Sequence, residues 1–250
     1  MEAYFFGQRK AVPSAFAEWL APEVSAAVSI DMHRGHLDDS PECPCPAPRA
    51  REIIEPINEF HRECRRLGVP VIHVKTVLRA TGVDDTGGYP SAWRLTFPVT
   101  VGPIPNAGSH GLAGTRWTEL MTEVKPGDEI VDGKKRLSIF YPTDLDFLLW
   151  NMRRRTVVLT GGFTDCCVLN AAFDAANRDY RVLVCRDLVR GFSTEMEDAA
   201  LRIVSLHLGL IVRLGRPAWR LGGAAADIAM RMAAVTGGFV PPPAVRPRVS

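Results

Sequence analysis

TGGFTDCCVL, residues 160–169, follows the β-forming run RTVVL at 155–159. A branched apolar run, two glycines, a polar turn and then helical apolar spacing mark a strand that ends and a helix that begins. Two adjacent thiols, Cys166 and Cys167, stand at that junction. As small hydrophobes they would fill core space. At the first turn of a helix capped by Thr164 or Asp165, free N–H groups and the helix dipole would instead favour a thiolate, and so a nucleophile. Helical spacing places Cys167 with Ala171 and Asp174 on one face and Cys166 with Asn170 and Phe173 on another. It leaves open which thiol meets a site. A vicinal redox pair is a third reading, disfavoured by the strained geometry it needs.

Outward from the junction, strand and helix patterns alternate. Strands are expected at 26–31, 69–74, 129–131, 156–160, 181–185 and 209–212. Helices are expected at 56–66, 117–124, 143–150 (with Thr143 as N-cap), 165–178, 194–207 and 224–234. This order implies βαβ units and a three-layer α/β/α fold around a six-stranded, mainly parallel sheet. Ligands in such sheets sit beyond the carboxyl ends of the strands. Asp31 ends the first strand, Lys134 stands just past the third and the thiols just past the fourth, so three reactive groups share one sheet edge. A lysine ammonium there would stabilise a thiolate, and a carboxylate would hold the lysine and move a proton. Residues 78–116 lack periodicity, as functional connections often do. Trp93 and Trp117 bracket much of that segment, as parts of a lid, a subunit contact or a cover for the sheet. A single domain is expected over 1–240, with its core at 24–213 and a Pro/Arg-rich tail at 241–250.

Composition excludes several classes. The chain has 250 residues, 46% apolar and 23% charged, and its 30 basic residues nearly balance 28 acidic ones, so no nucleic-acid or membrane surface is marked. No run approaches the ~18–20 apolar residues of a membrane span. The N-terminus MEAYFFGQRK has charge after its apolar run, the reverse of a secretory signal, and a cytoplasmic location is expected. Six cysteines show no disulfide-framework spacing, and Cys43-Pro44-Cys45 lacks a second pair at metal spacing.

TGGFTDCCV resembles the cysteine-hydrolase signature of the isochorismatase-like superfamily, in which a valine follows the nucleophile. On that match Cys167 is the nucleophile and Cys166 its neighbour. SIDM (29–32) resembles the family's acid-bearing strand, placing the acid at Asp31. KKRLSIF (134–140), followed by YPTDL (141–145), resembles the lysine motif, and counting back four from Ser138 selects Lys134 rather than Lys135. The resemblance covers roughly residues 24–213 and implies an Asp–Lys–Cys triad for acyl transfer on an amide or ureide. It implies no cofactor, a cis peptide at Gly162–Phe163, an oxyanion hole from the N–H groups of Phe163 and Cys167, and a dimer or tetramer. Members that cleave biuret, triuret, ureidoacrylate and N-carbamoylsarcosine are the branch it resembles.

Departures from the family pattern lie in DMHRGHL (31–37). His36 and Arg34 are expected to contact substrate, and His33 is either a pocket residue or a supporting one. The family's metal-binding relatives use an Asp/His cluster after the second strand, where this chain reads HVKTVL (73–78), so no metal is expected. His61, His73, His110 and His207 have no partners at useful spacing and read as structural. Two alternatives stand beside the amidohydrolase: a vinyl-ether hydrolase, disfavoured by a cysteine at 167, and a catalytically silent binding protein.

Overall fold

The computed structural model describes residues 2–214; the expected helix at 224–234 and tail at 241–250 lie outside the described residues. The sheet has eight strands rather than six: β1 Glu2–Phe5, β2 Gln8–Ala11, β3 Ser25–Ile30, β4 Val71–Thr76, β5 Glu129–Lys134, β6 Thr156–Gly162, β7 Arg181–Arg190 and β8 Gly209–Val212, in the order β2-β1-β8-β7-β6-β3-β4-β5. The six expected strands form the parallel part, and the added pair is an N-terminal antiparallel hairpin laid against β8. Its turn, Phe6-Gly7, has both residues at positive φ, the twist that suits a two-residue hairpin. The phenylalanine hides that turn from a composition-based reading.

Among the described residues six α-helices accompany the sheet: α1 Arg34–Leu37, α2 Ile54–Arg66, α3 Ala92–Val101, α4 Leu145–Asn151, α5 Leu169–Ala176 and α6 Thr194–His207. Every residue of β3 is buried, as a central parallel strand requires. Ala26, Val28 and Ile30 pack with Leu145, Leu149, Ala171, Ala175 and Val204 of α4, α5 and α6. Ala27, pointing the other way, packs with Cys64 near the end of α2. The alternation makes the three layers. Helix α6 starts where the sequence places it, with the Ser193 hydroxyl accepting from Met196 N–H and two glutamates in its first turn.

Local corrections have physical causes. Of the expected 117–124 helix only Trp117 and Thr118 are helical, within a single 3-10 turn over Arg116–Thr118. Beyond it the chain is pulled extended: Met121 N–H donates to Met32 O and Arg34 N–H to Glu119 O, both at 2.9 Å. Segment 78–116 contains α3, which Pro98 interrupts and which buries none of its residues fully. Thr143 supports α4 from one residue outside the expected place, its hydroxyl accepting from Leu145 N–H at 3.3 Å. The junction after β6 is a π-helical turn over Thr164–Val168 with no side-chain cap, and Asp165 instead accepts from Phe192 N–H.

Strand β3 starts the parallel part, β4 and β5 extend it one way, and β6, β7 and β8 extend it the other. The gap between the ends of β3 and β6 is therefore the topological switch point, where such sheets bind ligands. Gly161 holds that point closed. It has φ +106°, and a Cβ on it would lie 2.2 Å from Ile30 O, so no side chain fits.

Candidate active site

Asp31, Lys134 and Cys167 meet at the switch point. Asp31 follows β3, Lys134 is the last residue of β5 and Cys167 lies in the turn after β6; all three are buried. Lys134 Nζ donates to Asp31 Oδ2 at 2.7 Å and lies 3.5 Å from Cys167 Sγ. Asp31 takes the left-handed conformation, φ 53°, which Asp tolerates better than most residues. Lys135, the alternative lysine, turns away to Val77 O. The peptide Gly162–Phe163 is cis.

Thr76, at the end of β4, completes the group. Its N–H and hydroxyl both donate to Asp31 Oδ1 at 3.0 Å, and its Oγ1 accepts from Lys134 at 2.9 Å. Sequence reasoning missed it; its place at the carboxyl end of a strand adjoining β3 was the available signal. Burial opposes the Asp31 charge, but Lys134 and His33 outweigh it and hold the carboxyl well below the usual range. Lys134 is raised: burial lowers it, and Asp31 more than compensates. The Cys166 sulfur and burial push the Cys167 thiol up against the pull of Lys134.

The first turn of the site is built by α1. His33 caps it, its Nδ1 accepting from Gly35 N–H at 3.1 Å. His36 sits on it with Nδ1 2.9 Å from Cys45 O. The Pro/Cys-rich loop is thus a support: Cys45 N–H and the Cys43 thiol both reach Gly35 O. His110, expected to lack partners, lies with its Nε2 3.1 Å from that of His36, and its ring faces Trp93 of α3. His33, His36 and His110 form one buried cluster whose ligand-capable atoms lie within 4.8 Å of one another. Pattern reasoning missed it because 74 residues separate His36 from His110. Arg34 is placed at the rim, bonded to Glu119 at 2.8 Å and Asp38 at 3.0 Å. Phe163 sits against His36 and Phe97.

The three-layer α/β/α fold thus places a buried acid, lysine and thiol together at the switch point of its parallel sheet. Residues 25–214 match the isochorismatase domain family, and the chain belongs to it. It is 27% identical over 169 residues to N-carbamoylsarcosine amidase of an Arthrobacter species, covering 66% of this chain and 58% of that one. It is 30% identical over 152 residues to a ureidoacrylate amidohydrolase of Methylobacterium radiotolerans, covering 59% and 58%. The chain thus spans less than two thirds of the length of these curated relatives. The solved cysteine hydrolase from Pseudomonas syringae shares the fold, with TM-score 0.67, 19% identity and coverage of 86% and 94%. N-carbamoylsarcosine amidase from Thermoplasma acidophilum superposes with TM-score 0.57, at 26% identity and coverage of 76% and 95%. No helix among the described residues is long and apolar enough to cross a membrane.

Proposed function

We propose that the protein is a cysteine-dependent amidohydrolase that cleaves a C–N bond of a small linear amide or ureide. The observation that supports this most is the buried contact of Lys134 Nζ with both Asp31 Oδ2, at 2.7 Å, and Cys167 Sγ, at 3.5 Å. The amidase and amidohydrolase names of its relatives favour the same chemistry.

Cys167 Sγ attacks the substrate carbonyl while its proton passes to Asp31. The N–H groups of Phe163 and Cys167 receive the developing oxyanion. The C–N bond then breaks, and the proton held by Asp31 goes to the departing ammonia or amine, leaving a thioester on Cys167. Asp31 next takes a proton from water, whose oxygen cleaves the thioester and regenerates the thiol. Lys134 keeps Asp31 ionised between these transfers, and Thr76 fixes its orientation. His36 and Arg34 shape the substrate side of the site.

The test is ammonia release by the purified protein from a panel of amides and ureides, with Cys166→Ala and Cys167→Ala beside it. The reading requires release that survives the first substitution and is lost in the second. Full activity in Cys167→Ala would refute the nucleophile, and pyruvate from isochorismate in place of ammonia would replace the reaction.

A further inference from the structure

Three imidazole rings stand against the triad, with centroids 4.6–5.5 Å apart. Their nitrogens are close enough to suggest a divalent metal ion, and the tautomers decide against it. A metal-bound imidazole donates its other N–H to an acceptor. His36 fits that rule: the carbonyl of Cys45 can only accept, so the proton is on Nδ1 and Nε2 is bare. His33 is the reverse. The N–H of Gly35 can only donate, so His33 Nδ1 is the bare nitrogen and a neutral ring carries its proton on Nε2. His110 Nε2, 3.1 Å from the bare Nε2 of His36, must then be the donor of that bond. The bonds from His110 to His36 and from His36 to Cys45 O thus run on protons alone, and His110 Nδ1 stays buried, bare and without a hydrogen bond.

His33 is left over. Its Nε2–H is buried, forms no hydrogen bond, and has Asp31 Oδ1 as its charged neighbour at 3.7 Å, close enough to help hold that carboxyl down but too long for a bond. That oxygen already accepts two bonds from Thr76. Other buried groups also lack partners, such as Thr156, Thr160 and both nitrogens of His61. Among these groups of the described residues, His33 alone is an imidazole donor bordering Asp31. The ring is also held in place: a Cβ at Gly35 would lie 2.8 Å from His33 Cε1, and His36 and His110 pack on its other sides.

We propose that His33 is a specificity-determining residue whose Nε2–H takes a carbonyl oxygen in the uncleaved part of the substrate, making that substrate an uncharged ureide or diamide rather than an amide bearing a carboxylate. This rests on the amidohydrolase reading and extends it. Two rings of the wall are kept neutral by burial, which holds His36 down to about 3 and His110 well below its ordinary value. The arginines nearest by sequence and contact are tied, Arg34 to Glu119 and Asp38 and Arg94 to Asp85. A carboxylate brought against such a wall loses its hydration with neither of these arginines free in return, whereas a carbonyl needs only the donor that His33 presents.

The experiment is calorimetric binding to the Cys167→Ala protein of biuret and of N-carbamoylglycine, which share a carbamoyl group and differ in the far end. Biuret is expected to bind at least tenfold more tightly. His33→Asn keeps an acceptor for Gly35 N–H but withdraws the distal donor, and should weaken biuret by about tenfold to a hundredfold. His33→Gln, which extends an amide N–H towards the same place, should restore most of that loss. Nitrogen-15 NMR of the wild-type protein should show the His33 proton on Nε2. The proposal is overturned by equal or tighter binding of the carboxylate, by no binding of either ureide, or by an unchanged affinity in His33→Asn. It is also overturned if one zinc equivalent survives dialysis and shifts the His33 nitrogens. These outcomes are independent of the triad, which stands or falls on Cys167-dependent ammonia release from any amide.

Discussion

The molecule buries histidines in two places, and the two differ in what their nitrogens face. Under α2, His61 and His73 pack edge to face at 5.1 Å; His73 Nε2 lies 3.3 Å from Asp128, which Arg65 holds at 2.7 Å. Beside the triad, His33, His36 and His110 lie equally deep. Burial lowers His61 and His36 alike, each to about 3. Charge state therefore does not separate a packing histidine from one at a site. The separating features are the distance to a reacting group and a tautomer fixed by the backbone: Gly35 N–H decides it for His33, and no such bond reaches His61 among the described residues.

The strongest way to sharpen this contrast is to remove the reacting groups. Cys167→Ala should lower turnover by at least ~10⁴-fold, as loss of a nucleophile does in comparable enzymes, with its thermal midpoint little changed. Lys134→Ala should abolish turnover too, and should also destabilise. It strands a buried carboxylate, at a cost of about 3–5 kcal/mol, readable by urea denaturation.

Acid should act on both clusters together. The unfolded chain protonates its histidines near pH 6.5, while the folded chain holds His36 and His61 neutral down to about 3. The unfolded state therefore binds more protons across that window. Stability is fully present above the upper value and is lost as pH falls, by up to ~1.4 kcal/mol per pH unit for each such histidine. His61→Leu should flatten the slope by one histidine and leave turnover intact. His36→Leu should flatten it similarly while raising KM. Equal kinetic effects from the two would erase the distinction between the clusters.

A smaller effect is expected from Gly35→Ala. Its Cβ, 2.8 Å from the His33 ring, has to displace that ring. A loss of about tenfold in kcat/KM is expected, because sub-ångström placement of substrate-contacting groups controls rate. The denaturation midpoint should move little. A large stability loss with unchanged kinetics would recast His33 as packing.

Much of this was legible because parallel-sheet strands write themselves as short apolar runs, and the six found that way form the parallel sheet. Asp31, Lys134 and the thiols were visible as strand-end residues, since one rule of topology gathers strand ends. Thr76 was hidden by a boundary: the expected strand stopped at residue 74, but β4 runs on to Thr76. The His110 contact was hidden for another reason. Its position depends on how residues 78–116 fold back, and Leu78 and Leu112 form the bridge that sets it. Tertiary contact made that fold-back, and no local periodicity encodes it. The failed 117–124 helix has the same origin, since pairing with Met32 and Arg34 overrode its local helical tendency.

The close backbone contact at Gly161 has a mechanical consequence. Because the backbones of β3 and β6 approach so closely there, the acid and the thiol are carried by two strands locked in register up to the residues that bear them. Across the site α3 is packed more loosely: Trp93 lies against His110 and Phe97 against Phe163, while Leu95 and Val99 are exposed. The spacing of Asp31 and Cys167 and the packing of α3 are thereby set by different parts of the chain, so residues 92–101 can be edited without touching the β3–β6 contact.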